Sequence, residues 1–155
     1  MSEEKKLTTT NPVNGKTIEN YKMMSDQEME KAIKDCHHAF MKWKSRSAED
    51  RAAVIKNIGK KLAEHKDELA KLMTNEMGKL VKQSHQELEL CSGICDYTAS
   101  NGPDSLKDEE RELPEGGKGF ITYSPLGVIY GIQPWNFPSY QVVRYSIANL
   151  MAGNG

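Results

Sequence analysis

From Ser25 to about Asn101 the apolar residues recur at three- and four-residue intervals, the spacing that collects them on one face of a helix. The stretch SDQE at 25–28 places a glutamate three residues after a serine, so that each side chain can satisfy the other residue's free amide. A helix is expected to start there and to run to about Lys44, burying Met29, Ile33, Cys36, Ala39, Phe40 and Trp43. A second helix from about Ala48 would bury Ala52, Ile55, Ile58 and Leu62. A third from about Lys66 would use Leu69, Leu72 and Met73 and stop at Gly78. A fourth from about Leu80 would run through Leu88, Cys91 and Cys95 to a stop at Asn101-Gly102-Pro103.

At Pro103 the period changes. Residues 103–119 are polar and rich in glycine and acid, and FITYS and GVIYGI, separated by Pro125-Leu126, then read as strands from their aromatic and β-branched content. GGKG at 116–119 lacks phosphate-loop spacing and a following helix, so it reads as a hairpin turn. A last helix, roughly Ser139 to Ala152, would bury Val142, Val143, Ile147 and Leu150 and meet Gly153 at its end. Residues 1–24 read as an irregular arm with a turn at N-P-V-N-G. A strand followed by a helix is the first half of a βαβ unit, and the parallel partner of GVIYGI would follow Gly155, so the chain reads as cut. The alternative is that FITYS and GVIYGI pair with each other in a self-sufficient α+β domain.

Composition narrows the function. With 21 Lys and Arg against 22 Asp and Glu among 155 residues, the formal charge is −1, which gives no electrostatic case for nucleic acid or an anionic membrane. In the densest basic patch, KNIGKKLAEHK, acidic residues interleave the lysines as on an ordinary solvated helix face. No apolar run approaches the ~20 residues a bilayer requires, and the opening segment has no secretory apolar core. A cytoplasmic setting is therefore expected. Cys36, Cys91 and Cys95 read as reduced core thiols. Cys91 and Cys95 lack a nearby His or Asp cluster, and the adjacent His37 and His38 face different ways, so no metal site is expected.

The candidate chemistry lies in GVIYGIQPWNFP. Each proline pushes the residue before it into extended backbone, leaving Asn136 in a stiff bend at a strand's carboxyl end, where α/β sheets bind ligands. A primary amide there can donate to a developing oxyanion, although asparagine also serves in tight turns by bonding nearby backbone. The segment closely resembles the P-W-N-F-P stretch of the aldehyde dehydrogenase superfamily, and N-P-V-N-G at 11–15 resembles the N-P-x-x-G segment that opens those enzymes. That resemblance implies an α/β fold: a helical lead-in (25–102), an oligomerisation-type hairpin (103–126) and the first strand and helix of a Rossmann-like parallel sheet (127–155).

It also implies roles. Asn136 matches the catalytic asparagine that stabilises the oxyanion formed when a cysteine thiolate adds to an aldehyde. Ile132, Pro134, Trp135 and Asn136 match the stretch lying against NAD or NADP. The last helix matches one wall of the substrate tunnel, with Phe137 and Tyr140 facing substrate. Arg144 matches the arginine with which succinate-semialdehyde-oxidising members pair the substrate carboxylate. On a helix it would lean back toward Asn136, so that a short aldehyde could bridge the two. The family's nucleophilic cysteine, general-base glutamate and glycine-rich turn have no counterpart here. The expected whole is a homo-oligomeric enzyme acting on a small-molecule aldehyde; the rival is a non-catalytic helical interaction module derived from one.

Overall fold

The computed structural model describes residues 6–155. The first two elements correct the expected irregular arm. β1 (Lys6–Thr10) and β2 (Thr17–Lys22) form an antiparallel hairpin with Leu7 opposite Tyr21 and Thr8 opposite Asn20. The turn at Asn11–Gly15 is where the sequence places it, with Gly15 at φ +71° and its amide bonded to the Asn11 carbonyl at 2.8 Å. Threonine-rich exposed strands carry no apolar alternation, which is why the pattern hides them. Residues 1–5 of the expected arm lie outside the described residues.

Four helices follow close to their predicted bounds: α1 (Asp26–Trp43), α2 (Ala48–Glu64), α3 (Lys66–Met77) and α4 (Val81–Ser105). Ser25 and Glu28 form the reciprocal cap at the start of α1, and Gly78, left-handed at φ +73°, ends α3. The proline stop does not hold, because α4 continues past Pro103. The carbonyls of Tyr97 and Asn101 accept bonds from the side chains of Asn101 and Ser105. Gly102 also lets Met151 pack against the backbone, where a Cβ would meet the Met151 Cγ at 2.5 Å.

Helix α4 is the hub, packed by α2, α3 and α5 (Pro138–Met151). The main core joins Ala52 and Ile55 of α2, Cys91 and Cys95 of α4, and Val143, Ile147 and Met151 of α5. Ala70, Met73 and Leu88 form a smaller core under α3. Several expected core positions stay exposed: Met29 and Ile33 on α1, Leu72 on α3 and Val142 on α5. Helix α1 is attached at its C-terminal end, where buried Phe40 lies against Gly155 and Trp43 Nε1 donates to the Leu150 carbonyl at 2.9 Å.

The strand expectations need one further correction. β4 (Lys118–Ile121) overlaps FITYS, but its partner is the acidic β3 (Glu109–Glu112), paired antiparallel with Arg111 opposite Gly119. An intervening turn uses Gly116 at φ +80°. The charged EERE run gains its place through cross-strand pairing such as Lys118 to Glu110 at 2.6 Å, which residue propensity does not signal. Residues 127–132 belong to neither sheet, which corrects the expected strand GVIYGI, and they do not pair with FITYS. Instead the Gly155 amide donates to the Gly127 carbonyl and the Ile129 amide to the Gly155 carbonyl, at 3.0 and 2.8 Å. Two bonds that straddle one residue in this way are the parallel-ladder pattern.

The α2–α4 contact depends on Gly59, where an added Cβ would lie 2.7 Å from the Cys95 Cβ. Helix propensity alone favours alanine over glycine by about 1 kcal/mol, but overpacking costs about 1–3 kcal/mol and involves a Cβ that cannot swing aside. Gly59→Ala is therefore expected to lower the melting temperature by a few degrees, at roughly 2–4 °C per kcal/mol. An unchanged or higher melting temperature would contradict this packing.

Candidate functional site

Residues 132–140 run from the end of the GVIYGI segment into the first turn of α5. Two glycines position the entry. Gly127, at φ +136°, and Leu126 both donate their amides to the side-chain oxygen of buried Asn154, at 3.1 and 2.7 Å. Gly131 lies flat against the Tyr145 ring, where a Cβ would meet the ring at 2.5 Å. The Tyr145 hydroxyl is buried and has no partner among the described residues.

The start of α5 has a local deficit. Its N-cap is Phe137, which has no side-chain acceptor, and its first residue is Pro138. The next two amides, of Ser139 and Tyr140, are the ones a capping Ser or Asp would ordinarily satisfy. Here the acceptor comes from another helix: Glu87 Oε1 on α4 accepts from Ser139 N at 2.8 Å and from Tyr140 N at 2.9 Å. The other Glu87 oxygen is paired with Lys79, and both side chains are buried, at 0% and 7% exposure. Lys79 also donates to the Asn136 carbonyl at 3.4 Å, and its ammonium sits 3.7 Å from the centroid of the Phe137 ring.

Sequence reasoning missed both Lys79 and Glu87. The available signal was positional, because Glu87 falls on the stripe of Ser84, Leu88, Cys91 and Cys95 that α4 buries. A carboxylate on such a stripe demands buried partners.

The expected site residues fall as follows. Ile132, Pro134, Trp135 and Asn136 lie on one continuous exposed stretch between the GVIYGI segment and α5. Among the described residues the Asn136 side-chain amide makes no hydrogen bond, although its backbone carbonyl is held by Lys79. Phe137 packs edge-on against Tyr140, with ring centroids 6.2 Å apart, and Tyr140 also packs on the main core. Arg144 is exposed and leans one turn back over the Tyr140 ring at 5.9 Å, with no ion-pair partner among the described residues. It lines a cleft of about 310 Å³ with Gln133, Gln141, Tyr145, Ala148 and Asn149, and Asn136 does not line that cleft. A second cleft, about 370 Å³, opens against α3, with Trp135 and Ser139 on its wall. Among the described residues no group of three or more His, Cys, Asp or Glu could hold a metal, and no helix is long and apolar enough to cross a membrane.

The model of the "Aldehyde dehydrogenase family" matches residues 1–155. An NADP(+) succinate-semialdehyde dehydrogenase of Deinococcus radiodurans is 36% identical over 151 residues, covering 97% of this chain and 31% of that protein. The Escherichia coli K12 succinate semialdehyde dehydrogenase Sad, named for NAD(P)+, is 35% identical over 145 residues, with 94% and 31% covered. Among solved structures, succinic semialdehyde dehydrogenase from Streptococcus pyogenes in complex with NADP+ superposes with a TM-score of 0.89 at 30% identity, covering 95% of this chain and 32% of that one. The chain thus spans about a third of the length of the curated relatives it matches.

The chain's own thiols are poorly suited to nucleophilic work. Burial, with the Glu87 carboxylate nearby, pushes Cys91 up to about 12, and burial with Asp96 pushes Cys95 up to about 11. Both stay protonated near neutrality, whereas Cys36 is half-buried. Alkylation of the folded chain at pH 8 should label Cys36 and spare Cys91 and Cys95 until unfolding. Both folded values lie above the ordinary thiol value of 9.0, so the unfolded state releases these protons first and stability should fall as pH rises from about 9 towards 11. Labelling of Cys91 or Cys95 in the folded chain would contradict the assignment.

Proposed function

The chain belongs to the aldehyde dehydrogenase family, and from that premise we propose that it is the N-terminal portion of an NAD- or NADP-dependent enzyme that oxidises a short carboxylate-bearing aldehyde, of the succinate-semialdehyde type, to the acid. The observation that carries this reading is the free side-chain amide of Asn136, exposed on a turn whose backbone is tied down by Lys79 and whose following helix is tied down by Glu87.

In the proposed mechanism Asn136 offers a neutral N–H donor to the aldehyde oxygen. As a thiolate from elsewhere in the enzyme adds to the carbonyl carbon, negative charge grows on that oxygen, and a donor already in place stabilises it without reorganising. An amide never ionises in the working range, so it neither adds to nor removes the reacting proton. Stiffness matters here, because a donor that must first be ordered loses part of its benefit.

Ile132, Pro134 and Trp135 offer an exposed apolar surface that suits a dinucleotide, just beyond the parallel-type pairing of Gly127 and Ile129 with Gly155. A nicotinamide held there would supply the hydride acceptor. The exposure of these residues leaves the stretch open to such a group.

Arg144 supplies the selectivity. Its guanidinium has no internal carboxylate partner among the described residues, it rests against Tyr140, and it faces a cleft with the side-chain amides of Gln133 and Gln141. That set of donors suits the distal carboxylate of a semialdehyde, which a guanidinium can bind through both oxygens. Phe137 and Tyr140 would pack against the short carbon chain between the two ends. We assign residues 25–102 and 127–155 to the cofactor-binding part and the β3–β4 hairpin to contacts between subunits of a cytoplasmic homo-oligomer.

In the active enzyme, Asn136→Ala should lower kcat by roughly 10²–10³, on the order of 3 kcal/mol, with little change in cofactor KM. An undiminished kcat would remove Asn136 from this role. Arg144→Ala should reduce kcat/KM for a carboxylate-bearing semialdehyde far more than for a neutral aldehyde of equal length. Equal losses on the two substrates would overturn the carboxylate assignment.

A further inference from the structure

We infer that Lys79 and Glu87 are positioning residues for the reaction, a buried ion pair from the α3–α4 junction that sets the direction of the Asn136 amide. The inference rests on the reading of Asn136 as the oxyanion donor. Lys79 reaches the turn twice, through its bond to the Asn136 carbonyl and through the face of the adjacent Phe137 ring. Glu87 fixes the other side by binding the amides of Ser139 and Tyr140.

The carbonyl of Asn136 and its side chain share one Cα, so holding the carbonyl and the two amides that follow fixes the direction in which the Cβ leaves the backbone. The flanking prolines restrict Gln133 and Phe137 but leave the orientation of the Asn136 peptide open. Lys79 closes that freedom. No local residue could do so, because the N-cap is a phenylalanine and the first helical residue has no N–H. The pair is also sited well for a positioning role, since it is buried beneath the turn and its polar atoms are directed into the turn rather than to solvent. Lys79 therefore acts on the aldehyde through Asn136 without touching it.

The test is a double-mutant cycle in the active enzyme. Replacing Lys79 alone leaves Glu87 buried and unpaired, so the working variant is K79M/E87Q. It is neutral and similar in shape, and it keeps an amide oxygen for Ser139 and Tyr140. K79M/E87Q should lower kcat about ten-fold or more, hold the KM for NAD(P) within two-fold, and add little further loss when combined with N136A. K79R, which restores the cation, should recover most of the rate.

A merely structural role would lower the melting temperature and multiply with N136A instead. Full kcat in K79M/E87Q, or losses that multiply with N136A, would overturn the positioning role while leaving Asn136 as the donor. An N136A enzyme with full kcat would instead overturn the reading of Asn136, and the inference would fall with it. Should K79M/E87Q not fold, E87D carries the test. It keeps the charge beside Lys79 but draws the carboxylate back from the amides of Ser139 and Tyr140, and a kcat loss that does not multiply with N136A is again the expected outcome, with a multiplying loss or no loss overturning the inference.

Discussion

Two opposite charges with almost no exposure, Lys79 and Glu87, hold the chemically interesting turn of this chain in place. Taking such charges out of water costs several kcal/mol per ion, and their attraction offsets that cost only where the remaining donors and lone pairs are also used. The condition is met here. Glu87 spends one oxygen on Lys79 and the other on two backbone amides, while Lys79 adds a carbonyl and an aromatic face. Removing either partner would leave the other charge uncompensated. The pair binds α4 to the start of α5, and everything from Trp135 to Tyr140 inherits its position.

The far end of α5 is anchored on a related plan. Its C-terminal carbonyls are met by side chains from other helices, Trp43 bonding Leu150 and Arg51 bonding Met151 at 3.0 Å, while Asn154 gathers the amides of Leu126 and Gly127. Both ends of one helix are thus satisfied by residues distant in sequence, and the exposed face between them carries Arg144. A scaffold that holds backbone so firmly can leave the side chains of Asn136 and Arg144 free of internal bonds, which a binding surface requires.

Much of this was legible in the sequence. Helix bounds follow from period and caps because both are local: Ser25 with Glu28, and Gly78 beyond Met77, act within one turn. The PWNFP resemblance identified the family on its own residues. What stayed hidden depends on distant partners. EERE became a strand because β4 lies beside it, and the threonine-rich opening became a hairpin without any apolar alternation. Met29, Ile33, Leu72 and Val142 kept helical spacing yet remain exposed, because period reports a face and not whether something covers it. Glu87 was the hardest to see, since its two capped amides lie more than fifty residues downstream.

Amide hydrogen exchange at Ser139 and Tyr140 tests the central claim most directly. First-turn amides of a helix lack intrahelical acceptors and ordinarily exchange freely. If Glu87 holds them, both should be protected to the same degree as amides in the middle of α5, and Glu87→Ala should abolish that protection while the middle of the helix keeps its own. Free exchange at both positions in the unmodified protein would mean that the pair does not clamp the turn, and the account of how Asn136 is presented would fail.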